Sequence, residues 1–294
     1  MSQIDFKEIL EYGLRSQLAY TINQLGWCIT EQLRLRTPNT NRLFIQEVRN
    51  SEINVIVELD DATKTQWIAV RGSSNLKNWV LNFRYLQRSF DKNFSERKIT
   101  IDLHTGFYLA ADEVYQAILP YLKKNYKTRL TGHSLGGAIA VILMMLLQED
   151  GYQLEKCITF GQPKVTDKKG AQTCKNLPLL RVINDDDIIP LLPPGTLLTR
   201  LQGGYHHFGE RIAFDPEKDY LNLEDRQHLD NYTYGFWVSL LQAIAKRDLQ
   251  DSTDNIKDHN LSLYLLNVIN NIESKELVLT NLLRNLSPQV PGSM

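Results

Sequence analysis

The stretch Thr131-Gly132-His133-Ser134-Leu135-Gly136-Gly137-Ala138 is the part of this 294-residue chain that decides its expected fold. It contains the Gly-x-Ser-x-Gly pattern of a nucleophile elbow, a sharp turn from a strand into a helix that exposes a serine hydroxyl. Arg129 to Thr131 is suited to the end of a strand, and Gly136 to Leu147 is a run of small and aliphatic residues typical of a buried helix. A plain glycine-rich turn with an incidental serine also fits this pattern. The rest of the sequence decides between the two interpretations.

The overall charge of the chain is balanced. Its 33 Lys and Arg residues almost cancel its 34 Asp and Glu residues, so no general field attracts nucleic acid or an anionic membrane. Cys28, Cys157 and Cys174 are an odd number of cysteines without the spacing of a metal site. We therefore expect reduced cysteines, no metal, no organic cofactor and no nucleic-acid partner.

No targeting or membrane-spanning segment is visible. The first residues, Met1 to Phe6, lack a basic start followed by an apolar stretch, and the longest apolar run, Ala138 to Leu147, is too short to cross a bilayer. We expect a cytoplasmic protein and leave open a peripheral association with membranes.

Hydrophobic periodicity predicts the order of the elements. Residues 6–26 form a helix, three short strands then form an antiparallel meander, and strands alternate with helical segments between residues 100 and 185. Such alternation favours a mostly parallel sheet with helices on both faces, and ligands bind such sheets at the carboxyl ends of the strands. Ser134 and the aspartates at 185–187 are expected at these ends. The strands of the meander are predicted at residues 43–48, 54–59 and 66–70.

A short amphipathic segment follows the Gly-Ser loop that begins at Arg71. Its apolar residues recur at helical spacing, which fits either an ordinary core-facing helix or a lid over a substrate cleft that opens at a lipid surface. These apolar residues are Leu76, Trp79, Val80 and Phe83.

A serine hydroxyl needs a base to accept its proton, and the base needs an acid to orient it. Asp185, Asp186 and Asp187 are the candidate acids, and the rigid Ile-Ile-Pro segment that follows favours Asp187. The oxyanion is expected to bind the backbone N–H of Leu135 and, from another strand end, the N–H and hydroxyl of Ser73.

The identity of the base is less decided, because the chain has six histidines. His259 and His228 each begin a predicted helix after a polar loop, and His259 is the stronger candidate. The other four histidines are expected to have structural roles or lie in a hairpin-like segment; they are His104, His133, His206 and His207.

These motifs together resemble the class 3 lipases, which are α/β-hydrolases related to the fungal triacylglycerol lipases. The resemblance rests on Arg71 to Ser74 with Asn78-Trp79, on His104-x-Gly106-Phe107, on the elbow, on Thr159 to Val165 and on Asp187 to Pro190. It implies an oxyanion role for Ser73, a nucleophile at Ser134, an acid at Asp187 and a short helical lid.

The same resemblance bears on the base. Tyr205-His206-His207-x-Gly209 is similar to a family segment whose histidine is not the base, whereas His259 and Tyr264 reproduce the His-x-x-x-x-Tyr pattern of many plant and bacterial members. The long segment between Asp187 and His259 departs from the family and keeps His228 open.

The expected activity is hydrolysis of acyl-lipid esters through an acyl-enzyme. A short-chain esterase, an acyltransferase and a non-catalytic lipid-binding or partner-binding scaffold are the alternatives. We expect one domain over residues 1–286, a flexible tail at 287–294, and transient contact of the lid with a membrane or lipid droplet.

Overall fold

A computed structural model describes residues 4–25, 40–48, 53–72, 87–94, 97–184, 187–193, 204–215, 218–222 and 259–272. In these ranges the chain forms an eight-stranded sheet, a separate two-stranded hairpin and helices. The helices are α1 (Phe6–Leu25), α2 (Thr105–Ile118), α3 (Leu135–Glu149), α4 (Lys168–Cys174) and α5 (Leu261–Asn270). The strands are β1 (Thr40–Val48), β2 (Ile53–Asp60), β3 (Thr65–Val70), β4 (Gln87–Phe94), β5 (Arg97–His104), β6 (Lys127–His133), β7 (Gln153–Phe160), β8 (Leu179–Asn184), β9 (Glu210–Asp215) and β10 (Lys218–Asn222).

The large sheet has the order β1-β2-β3-β6-β7-β8-β9-β10. Its five central strands, from β3 to β9, run parallel, and antiparallel pairs close both edges. Strands β3 and β6 are joined in register, with Val70 opposite Gly132. The carboxyl ends of the parallel strands therefore meet at one edge, where the elbow begins.

Alternating side chains on each strand bury the two faces of this sheet against different helices. On β3, Trp67 packs on the face that carries α1 and α5, while Ile68 packs on the face that carries α2 and α3. Helices α1 and α5 also contact each other, since Gly13 lies against Leu265. This arrangement is the α/β-hydrolase fold, and it confirms the predicted sheet with helices on both faces.

The predicted meander and the helices at the amino terminus, after the elbow and after His259 are confirmed within a few residues. Two features differ from expectation. Strands β4 and β5 form a hairpin outside the large sheet, with Gln87 paired to His104. A loop and small hairpin were expected over residues 191–214, but β9, which lies mostly within this segment, joins the central sheet parallel to β8 and pairs antiparallel with β10.

Some predictions lie outside the described residues. They are the lid at residues 76–83, the helix predicted to begin at His228, and the tail at 287–294. Among the described residues, no helix has the length and apolar character needed to span a membrane.

Candidate active site

Ser134 occupies the turn between β6 and α3. Its φ of 58° and ψ of −130° are rare for a residue with a side chain, and its N–H donates to the carbonyl of Phe160 over 2.9 Å. Such strain costs about 1–3 kcal/mol and persists only where the surroundings impose it. The geometry is that of a nucleophile elbow, so the interpretation as an incidental glycine-rich turn is wrong.

Close packing on both sides of Ser134 explains the glycines of the motif. A Cβ atom added at Gly136 would lie 2.3 Å from the carbonyl oxygen of Val70, and one added at Gly132 would lie 2.3 Å from the carbonyl oxygen of Gly136. No side chain fits at either position without moving backbone atoms. The first turn of α3 is thus pressed directly against the end of β3.

The hydroxyl of Ser134 is buried, and its Oγ has no hydrogen-bond partner among the described residues. Leu135 is the first residue of α3, and the first N–H groups of a helix lack partners within the helix. These N–H groups also carry the positive end of the helix dipole. The unpaired hydroxyl of Ser134 therefore lies beside the first N–H groups of α3, which are suited to bind an anion.

Asp187 and His259 lie together, although they are far apart in the chain. The Oδ2 atom of Asp187 is 2.5 Å from Nδ1 of His259, and both side chains are fully buried. Because a carboxylate can only accept, Nδ1 carries the proton and Nε2 presents its lone pair. This is the tautomer that a general base requires.

Two further donors hold the Asp187 carboxylate. The hydroxyl of Tyr264 donates to Oδ2 over 2.5 Å, and the N–H of Ile189 donates to Oδ1 over 2.8 Å. The backbone N–H of Asp187 in turn bonds to the carbonyl of Asn184 at the end of β8. The carboxylate is thus fixed in position by its own loop and by helix α5.

The Nε2 atom of His259 is buried and, like Ser134 Oγ, has no hydrogen-bond partner in the described part of the chain. Both atoms lie close to the end of β7. Ser134 bonds to Phe160, and the next residue, Gly161, approaches the imidazole so closely that an added Cβ would lie 2.7 Å from Cε1 of His259. The hydrogen bond between a catalytic serine and its base is often long or poorly aligned in the absence of substrate.

His133 also belongs to this region, although it was expected to have a structural role. Its ring lies 4.5 Å from the His259 ring, and its Nε2 is 2.7 Å from the carbonyl oxygen of His259. Burial and the neighbouring His259 hold the pKa of His133 well below its usual value, so its ring is neutral.

Two further described histidines, His104 and His207, lie elsewhere. His104 caps α2, where its Nδ1 accepts from the N–H of Phe107. His207 is 2.7 Å from the carbonyl oxygen of Pro190, and burial with the nearby cations Arg181 and Lys164 lowers its pKa well below the usual value. Neither ring contacts the Asp187–His259 pair in the contacts of the described residues.

Four of the candidate residues lie outside the described residues; they are Ser73, Asp185, Asp186 and His228. The described chain reaches the neighbouring Gly72, where an added Cβ would lie 3.2 Å from Cβ of Ser134. Among the described residues, no three histidine, cysteine or acidic side chains are gathered as metal ligands.

Sequence reasoning did not predict the contact between Tyr20 and His133. In α1 Tyr20 reads as one more residue of a helical pattern, yet its hydroxyl lies 2.8 Å from Nδ1 of His133. No local motif identifies such a residue, because its partner is distant in the chain. Tyr264 was noted only as part of a motif, without its contact to Asp187.

Comparison with known proteins agrees with this geometry. Residues 67–197 match the family model described as lipase (class 3). A secreted mono- and diacylglycerol lipase from Fusarium solani is 32% identical over 186 residues, which cover 57% of this chain and 50% of that protein. A chloroplastic phospholipase A1 from Arabidopsis thaliana is 32% identical over 117 residues, which cover 36% of this chain and 16% of that protein.

A solved structure of a triacylglycerol lipase, whose catalytic centre is described as a serine protease triad, has a TM-score of 0.60 to this chain. The match covers 80% of this chain and 91% of that one, at 24% identity, and shows a shared fold. This chain spans half or less of the length of the two sequence relatives. Residues 67–197, which include the elbow, are thus similar to the class 3 lipases, and the chain shares its fold with a solved triacylglycerol lipase.

Proposed function

We propose that this protein hydrolyses carboxylic esters of acyl lipids through an acyl-enzyme on Ser134. One observation carries the proposal: the Oγ atom of Ser134 and the Nε2 atom of His259 are both buried and unpaired among the described residues, while Asp187 fixes the other side of the imidazole. Leaving a buried polar atom unpaired costs about 1–3 kcal/mol. Two such atoms beside a strained turn are more typical of a reactive site than of a structural one.

In the proposed mechanism, Ser134 Oγ attacks the ester carbonyl and gives its proton to Nε2 of His259. Asp187 stabilises the imidazolium that forms and keeps Nδ1 protonated. The tetrahedral intermediate collapses, the C–O bond of the ester breaks, and the leaving alcohol takes the proton from Nε2. A water molecule, deprotonated by the same imidazole, then attacks the acyl-enzyme and releases the fatty acid.

The negative charge of the intermediate requires donors that are already in place. We assign this role to the N–H of Leu135 at the start of α3 and to Ser73. Removing one such donor typically costs about 3 kcal/mol of transition-state stabilisation. The position of Gly72 close to Ser134 supports the assignment of its neighbour Ser73.

We propose that residues 1–286 act as one domain and that the apolar segment at 76–83 is the lid. The lid would contact a membrane or lipid-droplet surface from the cytoplasm, without a metal, an organic cofactor or nucleic acid. The relatives do not support the cytoplasmic location, since one is described as secreted and the other as chloroplastic. Cell fractionation tests the location.

A polar substitution of Trp79 tests the lid. If the segment is a lid, the variant should lose its preference for aggregated over monomeric esters.

The central experiment is hydrolysis of p-nitrophenyl esters of increasing chain length by the wild-type protein and four variants. Ser134→Ala and His259→Ala are expected to lower kcat at least ~10⁴-fold, as loss of a triad member does. Ser16→Ala is the matched control, because Ser16 is also buried with an unpaired Oγ in the described chain but is not part of the proposed triad. It should retain wild-type turnover.

The fourth variant, His228→Ala, tests the choice of base. If it is inactive while His259→Ala is active, the assignment of His259 is wrong and the hydrolase function stands. Activity confined to soluble short-chain esters would favour the esterase alternative. Equal rates for wild type and Ser134→Ala would favour a non-catalytic scaffold.

A further inference from the structure

A chain of hydrogen bonds connects α1 to the site from behind the elbow. The hydroxyl of Tyr20 lies 2.8 Å from Nδ1 of His133, and Nε2 of His133 lies 2.7 Å from the carbonyl oxygen of His259. Gly72 packs against the same hydroxyl. Tyr20 therefore contacts the residue next to Ser73, and the chain ends at the backbone of the residue proposed as the base.

Only one arrangement of protons satisfies both bonds. The carbonyl of His259 can only accept, so the proton of His133 is on Nε2 and its Nδ1 has a lone pair. The Tyr20 hydroxyl must then donate to Nδ1. Both bonds point the same way, an arrangement in which neighbouring hydrogen bonds strengthen one another.

The surroundings keep this arrangement in place. His133 and Tyr20 are buried deeply enough that desolvation lowers the pKa of the imidazole and raises that of the phenol, so both remain neutral. A Cβ added at Gly72 would lie 2.1 Å from the Tyr20 hydroxyl and 2.6 Å from the carbonyl oxygen of His133. Tyr20 and His133 therefore restrict the position of the backbone at Gly72.

The imidazole of His133 is also well suited to its place beside the proposed base. Its ring lies 4.5 Å from that of His259, which must become positive during the reaction. A permanently charged side chain here would oppose that change. A neutral ring that donates to the His259 carbonyl instead fixes the backbone without adding charge.

We propose that Tyr20 and His133 are positioning residues that hold Gly72, the neighbour of the proposed oxyanion residue Ser73, and the backbone of His259 at fixed places near Ser134. This inference rests on the proposed hydrolase function. In this proposal Tyr20 and His133 do not contact substrate. They affect the rate by holding the proposed base His259 and the neighbour of the proposed oxyanion residue Ser73.

Tyr20→Phe is the principal test, with Tyr12→Phe as its matched control. Tyr12 is a buried tyrosine of the same helix, and its hydroxyl has no hydrogen-bond partner among the described residues. Active sites are counted with a fluorophosphonate, so kcat/KM is expressed per functional site. We expect Tyr20→Phe to lower kcat/KM about 10- to 100-fold, mainly through kcat, as small misplacements of reacting groups do. Tyr12→Phe should match the wild type.

A double-mutant cycle with His133→Gln separates positioning from general stability. If the two residues act through one chain of bonds, Tyr20→Phe combined with His133→Gln loses little more activity than the worse single variant. Inhibition by a trifluoromethyl ketone, whose adduct has an oxyanion, should weaken in proportion to kcat/KM. Fully additive losses, or a lower melting temperature with kcat/KM unchanged, would overturn the proposal.

A measurement that does not depend on activity keeps this proposal distinct from the proposed function. Nitrogen NMR of the labelled histidines should show His133 as the neutral Nε2–H tautomer in the wild type, assigned by its loss in His133→Gln. In Tyr20→Phe the His259 carbonyl should keep the proton on Nε2, but the Nδ1 resonance should move downfield because Nδ1 loses its hydrogen-bond donor. An unchanged Nδ1 resonance would contradict the hydrogen-bond chain. Absence of ester hydrolysis in the wild type would instead count against the function alone.

Discussion

Asp187 accepts hydrogen bonds from Tyr264 and from His259 on the same oxygen, Oδ2, and each bond is 2.5 Å long. Helix α5 thus supplies one donor, and the residues just before it supply the other. The acid is held by the same segment that carries the base.

Removal of the Tyr264 hydroxyl should therefore weaken the alignment of the pair without abolishing it. Two donors to Asp187 remain in Tyr264→Phe, so we expect a fall in kcat of about tenfold, near the 1.5 kcal/mol lower limit for a hydrogen bond to a charged group. Tyr126→Phe is the control, since it removes a similar tyrosine hydroxyl from Asp61. Steady-state kinetics on a soluble ester should separate the two variants, and equal kcat values would show that Tyr264 is not needed.

Gly161 offers a sharper steric test of the site. Its φ is +57°, and a Cβ there would lie 2.9 Å from Oδ2 of Asp187 and 2.7 Å from Cε1 of His259. We expect Gly161→Ala to reduce kcat/KM more than 100-fold by displacing the imidazole. Gly151→Ala is the matched control, because its φ is +77° and nothing lies within 4 Å of the added Cβ. Both variants carry a backbone strain of about 1–2 kcal/mol, but only the first should lose activity. Equal activity in both would contradict the described packing.

The free energy of unfolding should decrease when the pH is lowered below the usual pKa of histidine. The pKa values of His133 and His207 are both lowered well below 6.5 in the folded protein, chiefly by burial. Below pH 6.5 the unfolded chain binds protons that the folded chain does not, so the free energy of unfolding decreases as pH falls toward the lowered values. Each group contributes a slope of up to about 1.4 kcal/mol per pH unit.

Chemical denaturation between pH 5 and pH 8 measures this slope. His207→Gln keeps a donor for the carbonyl of Pro190 but cannot titrate, so its slope should be smaller by about one proton. A slope equal to that of the wild type would mean that His207 is protonated in the folded state.

The buried cysteines should be unreactive in the folded protein. Burial raises the pKa of Cys157, and burial with nearby Asp167 raises that of Cys174 to about 12, so little thiolate is present near neutral pH. In a Cys28→Ser background, a thiol reagent should find no fast-reacting group in buffer and two after unfolding in guanidinium. Rapid modification in buffer would show that one of these thiols is accessible.

Local sequence was sufficient for the elbow and for the loop that carries Asp187, because turn chemistry and strand ends leave a signal within a few residues. It was also sufficient for α5, whose apolar spacing follows a histidine at a polar boundary. The choice of His259 over His228 stays a prediction, because His228 lies outside the described residues and only the experiment compares them.

Long-range contacts could not be predicted from the same patterns. The contact between Tyr20 and His133 depends on α1 packing beside the elbow, and helical periodicity gives only the buried side of α1. The pairing of β9 with β8 was missed for a similar reason, since its short apolar run also fits a hairpin. In both cases the deciding interaction joins segments far apart in the chain.

The position of α5 near the end of the described chain means that the proposed site is completed late in synthesis. Helix α1 leaves the ribosome early, and the elbow follows, but His259 and Tyr264 emerge late. Until then, a nascent chain contains Ser134 and Asp187 without the imidazole that lies just before α5. A chain that ends before residue 259 would therefore hold the proposed nucleophile and lack the proposed base.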